Sequence, residues 1–166
     1  MIGRVTAIAF VGAACLFAAA GALAADSADL DAQHQRNLSA STKLIKLGDA
    51  LLKEEDVRGA LIMYERALVA NPASVPALKK LGITYQSVYL YSEEMKYCRM
   101  ALALEPDDIE GLSCQGIGAA HREEFNLAVN NLKRIKELRG KHCPEYKALY
   151  RALKKNFPVR YRKIKH

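Results

Sequence analysis

The sequence predicts an all-α chain of repeated helix pairs, and three observations predict it. Apolar stripes recur at helical spacing, as in Leu44, Leu47, Leu51 and Leu52, or in Ala60, Leu61, Tyr64, Ala67 and Leu68. Residues 41–74 have a second copy in 75–108 and a degraded third in 109–142, and self-similarity at a fixed period signals a stacked array. Small residues stand where antiparallel helices must approach: Gly48 against Ala60, with Ala67 turned to the next repeat and Leu47 and Tyr64 filling the space between.

Within residues 41–74, Leu44, Leu47, Gly48, Leu51, Ala60, Tyr64, Ala67 and Pro72 fall at offsets 4, 7, 8, 11, 20, 24, 27 and 32 of a 34-residue frame. This pattern resembles a tetratricopeptide repeat (TPR) at every signature position. The second copy keeps Leu78, Leu81, Gly82, Tyr85, Ala101 and Pro106, with Glu94 in place of Ala and Cys98 in place of an aromatic residue. In the third, Leu112, Gly116, Ala119 and Ala128 fit, whereas Gln115, Leu132, Ile135 and Gly140 depart from the frame. The resemblance implies an antiparallel helix-pair solenoid, a TPR-like superhelix of about three repeats plus a C-terminal capping helix. It also implies a domain that binds other proteins. The departures predict a third pair without the ideal close approach.

The elements follow in order. Residues 1–24 read as a secretory leader: Arg4 is a positive start, residues 5–23 are apolar and small, and Ala22-Leu23-Ala24 matches an A-x-A cleavage signal. An uncleaved inner-membrane anchor is the alternative; with cleavage, no transmembrane segment is expected. Residues 25–40 form a polar linker or short N-terminal helix. Ser41 or Thr42 is then expected to cap the first repeat helix, Lys53 to Asp56 to make a polar turn, and Asn71-Pro72 to stop a second helix over Val57–Ala70. In the second copy Met95 is positioned to turn inward beside Glu94. Glu54-Glu55, Glu93-Glu94 and Glu123-Glu124 read as solvated acids at the helix turns. After Gly140, Pro144 opens a capping helix over residues 144–157 with Tyr146, Leu149, Tyr150 and Leu153 as its stripe, and residues 158–166 form a mobile basic tail.

Charge is unevenly spread. The formal net charge is +7, and from Lys141 onward nine Lys/Arg face Glu145 alone. The body is therefore mildly acidic and its end basic, a pattern that disfavours nucleic acid as a partner, as export does, and allows weak contact of the tail with an anionic surface. The block from Leu138 to Leu153 is also similar to the end of a group of small exported bacterial repeat proteins. There a cysteine before the glycine pairs with the one three residues after it, and Arg139 stands at the earlier position here.

No nucleophile triad, phosphate loop or metal-ligand spacing occurs in the sequence, so no enzyme, cofactor or metal is expected. Removal of the leader would leave Cys98, Cys114 and Cys143, an odd count that suggests one disulfide and one further thiol. Cys98 and Cys114 lie at similar levels of adjacent antiparallel helices, and either a disulfide or two partly buried thiols fits that placement.

The TPR resemblance further implies a concave face at offsets 2, 5, 9, 12 and 13 of each first helix. From it we take as candidate groove residues Ile45, Asp49, Leu52, Lys53, Lys79, Ile83, Gln86, Ser113, Ile117 and His121. The isoleucines and Leu52 make an apolar floor, and Lys53, Lys79 and His121 a ring of donors, suited to a peptide or helical segment of a protein partner. The TPR subgroup that clamps a terminal carboxylate carries Lys/Arg and Asn at offsets 5 and 9 of its first repeat. Ile45 and Asp49 do not match it. The expected role is a non-enzymatic adaptor in the bacterial envelope, placed in the periplasm by the leader; the alternative is an envelope protein, such as an accessory component of a pilus or secretion assembly, docking through its basic tail.

Overall fold

A computed structural model describes the backbone of residues 11–161 and the side chains of residues 29–160. Residues 1–10 of the expected leader and the last five residues of the basic tail lie outside the described backbone, and the rest of that leader, 11–24, is described in backbone alone. Among the described residues eight helices follow in order: α1 Val11–Lys53, α2 Val57–Ala70, α3 Val75–Ser87, α4 Tyr91–Leu104, α5 Ile109–His121, α6 Phe125–Arg139, α7 Pro144–Asn156 and α8 Pro158–Tyr161. No strand occurs among the described residues.

The chain divides into two units, Met1–Ser39 and Ala40–His166. In the first, side chains bond locally, as in Gln33 Nε2 donating to Asn37 Oδ1 at 2.9 Å and the Arg36–Asp29 ion pair at 3.7 Å. The second contains all three apolar core clusters and therefore carries its own core.

One expected boundary is corrected. Neither Ser41 nor Thr42 caps a helix, because α1 runs through both, and Ser41 is only 2% exposed. The physical reason lies upstream: residues 22–47 contain no Gly or Pro, and the alanines and the Gln33–Asn37 bond suit a helix, so nothing stops α1 before Ser41. A second correction concerns the tail, whose first residues, Pro158–Tyr161, form α8.

Inside the second unit the helices pair as consecutive antiparallel neighbours. Asp56, Ser74 and Asp108 cap α2, α3 and α5 by accepting from the backbone N–H of Gly59, Ala77 and Gly111, satisfying donors that a helix start leaves open. Tyr64, Ala60 and Leu81 form one core cluster, with Ile45, Leu51 and Leu52 packed on it. Leu47, expected in the same interior, is 49% exposed, because α1 is the first helix of this unit and only one of its faces is covered. A larger cluster joins α4 to α7 through Met95, Leu112, Leu132, Ile135, Leu149 and Leu153.

The third pair is tighter than its frame departures imply. Gln115 is buried, and Asn131 Nδ2 donates to its Oε1 at 2.9 Å and to the Leu112 carbonyl at 3.1 Å. A polar pair thus replaces the apolar one without an unmet donor, and a Cβ at Gly116 would lie 3.3 Å from that of Asn131.

Gly48 shows how the pairing limits side-chain size. A Cβ there would lie 2.5 Å from Tyr64 Cε1, and the Tyr64 ring is fully buried. Gly48→Ala is expected to lower stability by about 1–3 kcal/mol through overpacking. Urea denaturation measures this, and an unchanged midpoint would show that the Tyr64 ring yields freely.

Candidate functional site

α5, the first helix of the third repeat, packs against both α3 and α7. Between α3, α5 and α7 is a concavity of about 240 Å³. It is lined by Ile83 and Gln86 of α3, by Glu110, Ser113, Cys114 and Ile117 of α5, and by Pro144, Glu145 and Ala148 of α7. Four of the expected groove residues, Ile83, Gln86, Ser113 and Ile117, are therefore brought together. Ile83 remains 43% exposed, an apolar side chain held at the edge of a hollow. Ser113 Oγ donates to the Glu145 carbonyl at 3.1 Å and ties α5 to the start of α7.

The other expected groove residues are placed differently. Ile45 and Leu52 pack against the Tyr64 cluster. Asp49 accepts from Tyr64 Oη at 2.7 Å and pairs with Lys80 Nζ at 2.7 Å. Burial works to raise the Asp49 carboxyl, but Lys80 and Tyr64 outweigh it and hold it below the ordinary value. Burial and then Asp49 push the Tyr64 hydroxyl far up, so it stays a donor. Lys53, at the end of α1, is exposed.

Lys79 and His121 do not stand as free donors. Lys79 Nζ sits 2.9 Å from Asp108 Oδ2 and 2.7 Å from Glu110 Oε2, bridging the second repeat to the third. Burial disfavours its charge, but Glu110 and Asp108 prevail and raise its pKa. His121 stacks on Tyr91 with ring centroids 4.1 Å apart. Burial, with the Lys155 charge nearby, holds its imidazole below the ordinary value and favours the neutral ring.

Beneath the groove lies a residue the sequence reading misplaced. Glu94 is not a solvated acid: it is fully buried, its Oε1 accepting from Gln86 Nε2 and its Oε2 lying against Gly118. Burial pushes its carboxyl up to about 8, against the pull of the Gln86 amide and the Gly118 backbone. The signal that could have found it was its offset, since position 20 of the frame faces inward whatever residue occupies it. Met95 is buried beside it.

Cys98 and Cys114 are joined as a disulfide between α4 and α5, with Cα atoms 6.0 Å apart, inside the range a disulfide spans. Its two sulfurs sit against Gly82, where any Cβ would collide with Cys98 Sγ. The bridge thus underlies the groove at Cys114. Cys143 is a free thiol, its Sγ 3.6 Å from the Gly140 carbonyl. No group of three or more metal-ligating side chains occurs among the described residues. Nor is any helix among them long and apolar enough to cross a membrane.

No protein-family model matches this sequence, and no curated protein does. Solved structures do. A TPR domain of Arabidopsis OM64 is 16% identical with a TM-score of 0.66, covering 73% of this chain and 99% of its own. The first TPR of Spaghetti (RPAP3), bound to the HSP90 peptide SRMEEVD, is 17% identical with a TM-score of 0.66, covering 74% and 94%. The second TPR domain of human RPAP3, in complex with the HSP70 peptide SGPTIEEVD, is 19% identical with a TM-score of 0.61, covering 74% and 97%. At these identities the likeness establishes the fold, a TPR-type solenoid.

Proposed function

We propose that this TPR-type solenoid is an exported, non-enzymatic scaffold of the bacterial envelope that holds a segment of another protein in the groove between α3, α5 and α7. The carrying observation is the half-exposed Ile83 at the edge of a hollow that also contains Ile117 and Ala148. RPAP3 domains of the same fold hold short peptides, which supports a segment rather than a small metabolite as the occupant. The apolar, small-residue leader at 1–24 supports the location.

The charge of the groove narrows the ligand. RPAP3 binds peptides that end in acidic EEVD sequences, whereas here Lys79 is already neutralised by Asp108 and Glu110. One lysine thus stands against three carboxylates, Asp108, Glu110 and Glu145, which leaves this end of the groove net negative. An acidic tail would meet like charge, and a segment carrying Lys or Arg beside an apolar residue would not.

The test is a crosslinking pull-down from the envelope fraction, comparing wild type with Ile83→Glu. Ile83→Glu is expected to lose at least tenfold of the specific adduct, because it puts a charge where an apolar side chain must dock. Equal recovery by the two proteins removes the groove from the account. Titration with SRMEEVD is expected to give no saturable binding.

A further inference from the structure

The three turns that join the first and second helix of each repeat have one geometry. Each has three residues, 54–56, 88–90 and 122–124, and each is closed by the same backbone bond. Asp56 N–H donates to the Leu51 carbonyl at 2.9 Å, Leu90 to Tyr85 at 3.0 Å and Glu124 to Ala119 at 2.8 Å. The middle residue is left-handed in all three, with φ of 62° at Glu55, 63° at Tyr89 and 65° at Glu123.

Their chemistry is not alike. Glu54-Glu55-Asp56 and Arg122-Glu123-Glu124 are fully charged, and Val88-Tyr89-Leu90 is apolar. Tyr89 is 76% exposed and Leu90 52%. Both choices work against folding: a bulky aromatic residue disfavours a left-handed backbone, and Leu90 stands at the N-cap of α4 where it makes no side-chain cap bond, although Asp56 does so at the equivalent place. Two locally unfavourable, exposed apolar residues at a turn are the mark of a contact surface.

The surroundings indicate what it contacts. Tyr89 meets Tyr91 edge-on at 6.3 Å, and Tyr91 stacks on His121, whose ring feels the charge of Lys155. On the same edge Phe125 packs on Phe157 at 4.9 Å, and the Arg160 guanidinium lies 5.7 Å from the Phe125 ring centre. Val159 is 76% exposed there, and Lys154 and Lys155 point to solvent. Of the nearby acids, Glu124 pairs with Arg122 and Glu93 with Lys96; Glu123 on the next turn and Glu54 and Glu55 on the preceding one stand exposed without an ion pair, so the positive charge lies on the α7 side alone. Exposed tyrosine and aliphatic side chains, with lysine and arginine on the α7 side, match the chemistry of an anionic bilayer surface.

We propose that the Val88–Tyr89–Leu90 turn inserts into an anionic phospholipid surface while Lys154, Lys155 and Arg160 contact its headgroups. The reading is independent of the groove ligand.

Vesicle flotation tests it, using the chain from Asp26 onward so that the apolar run at 5–23 makes no contribution; this chain retains the Ala40–His166 unit and all its core clusters. The probes are vesicles of phosphatidylglycerol mixed with phosphatidylcholine, and of phosphatidylcholine alone. The variant is Tyr89→Asn with Leu90→Ser, which suits a left-handed turn and supplies a cap, so it is expected to melt no lower than wild type. Wild type is expected to bind the anionic vesicles and to be released by salt, and the variant to bind roughly tenfold less. Equal binding by the two, equal wild-type binding to both vesicle types, or no wild-type binding overturns the proposal. So does vesicle-independent dimerisation that the variant abolishes, which would make the turn a contact between copies.

Discussion

Replacing Glu94 by Gln is expected to leave stability unchanged near pH 4 and to raise it above pH 8. The sign follows from the carboxyl being pushed by burial from an ordinary 4.5 to about 8. Between those values the folded state holds a proton that the unfolded state has released, so wild-type stability falls as pH rises through the window and levels off above it. Gln keeps an acceptor for Gln86 and has no charge to bury. The full shift corresponds to a ceiling of about 5 kcal/mol, and relaxation around the charge brings the expected gain to about 2 kcal/mol. Urea midpoints of both proteins over a pH series measure the difference. Parallel curves would mean that Glu94 ionises without penalty.

Breaking the Cys98–Cys114 bridge is expected to have an effect of similar size. Its 16-residue separation places the loop-closure contribution at roughly 3 kcal/mol. Cys98→Ala with Cys114→Ala should lower the urea midpoint accordingly, and a reductant should lower the wild type but not the double variant. Cys143 provides an internal check, because alkylation of the unfolded, non-reduced chain from Asp26 should then modify one thiol. Modification of three thiols, with identical midpoints for the two proteins, would contradict the bridge.

Most of the repeat architecture is legible in the sequence because its signals are local. Apolar stripes mark the faces of α2 to α7, Pro72, Pro106 and Gly140 mark their ends, and Gly48 and Ala60 mark the close approach. The start of α1 is not legible, because a serine that could cap a helix is chemically the same as one buried within it, and the difference depends on what residues 25–40 do. Glu94 misleads for the opposite reason. Its charge suggests a solvated turn, while its place in the frame commits it to the interior.

The groove is half legible. The frame offsets place Ile83, Gln86, Ser113 and Ile117 on one face, since that depends on helical register alone. They do not reveal that Lys79 is taken by Asp108, a partner 29 residues away, or that His121 stacks on Tyr91. Nor do they reveal that α7 completes the hollow with Pro144, Glu145 and Ala148, because a capping helix has no frame position that predicts its contribution. Long-range pairing of side chains is the information that periodicity lacks.

Photocrosslinking from single positions tests the central claim most directly. A photoreactive residue placed at Ile83 or Ile117 samples the groove, and one at Val69, on the second helix of the first repeat and 84% exposed, samples surface outside it. The groove positions are expected to give a discrete adduct that unlabelled chain competes away, with none from Val69. An adduct of equal yield from Val69, or none from either groove position, would contradict a ligand held between α3, α5 and α7.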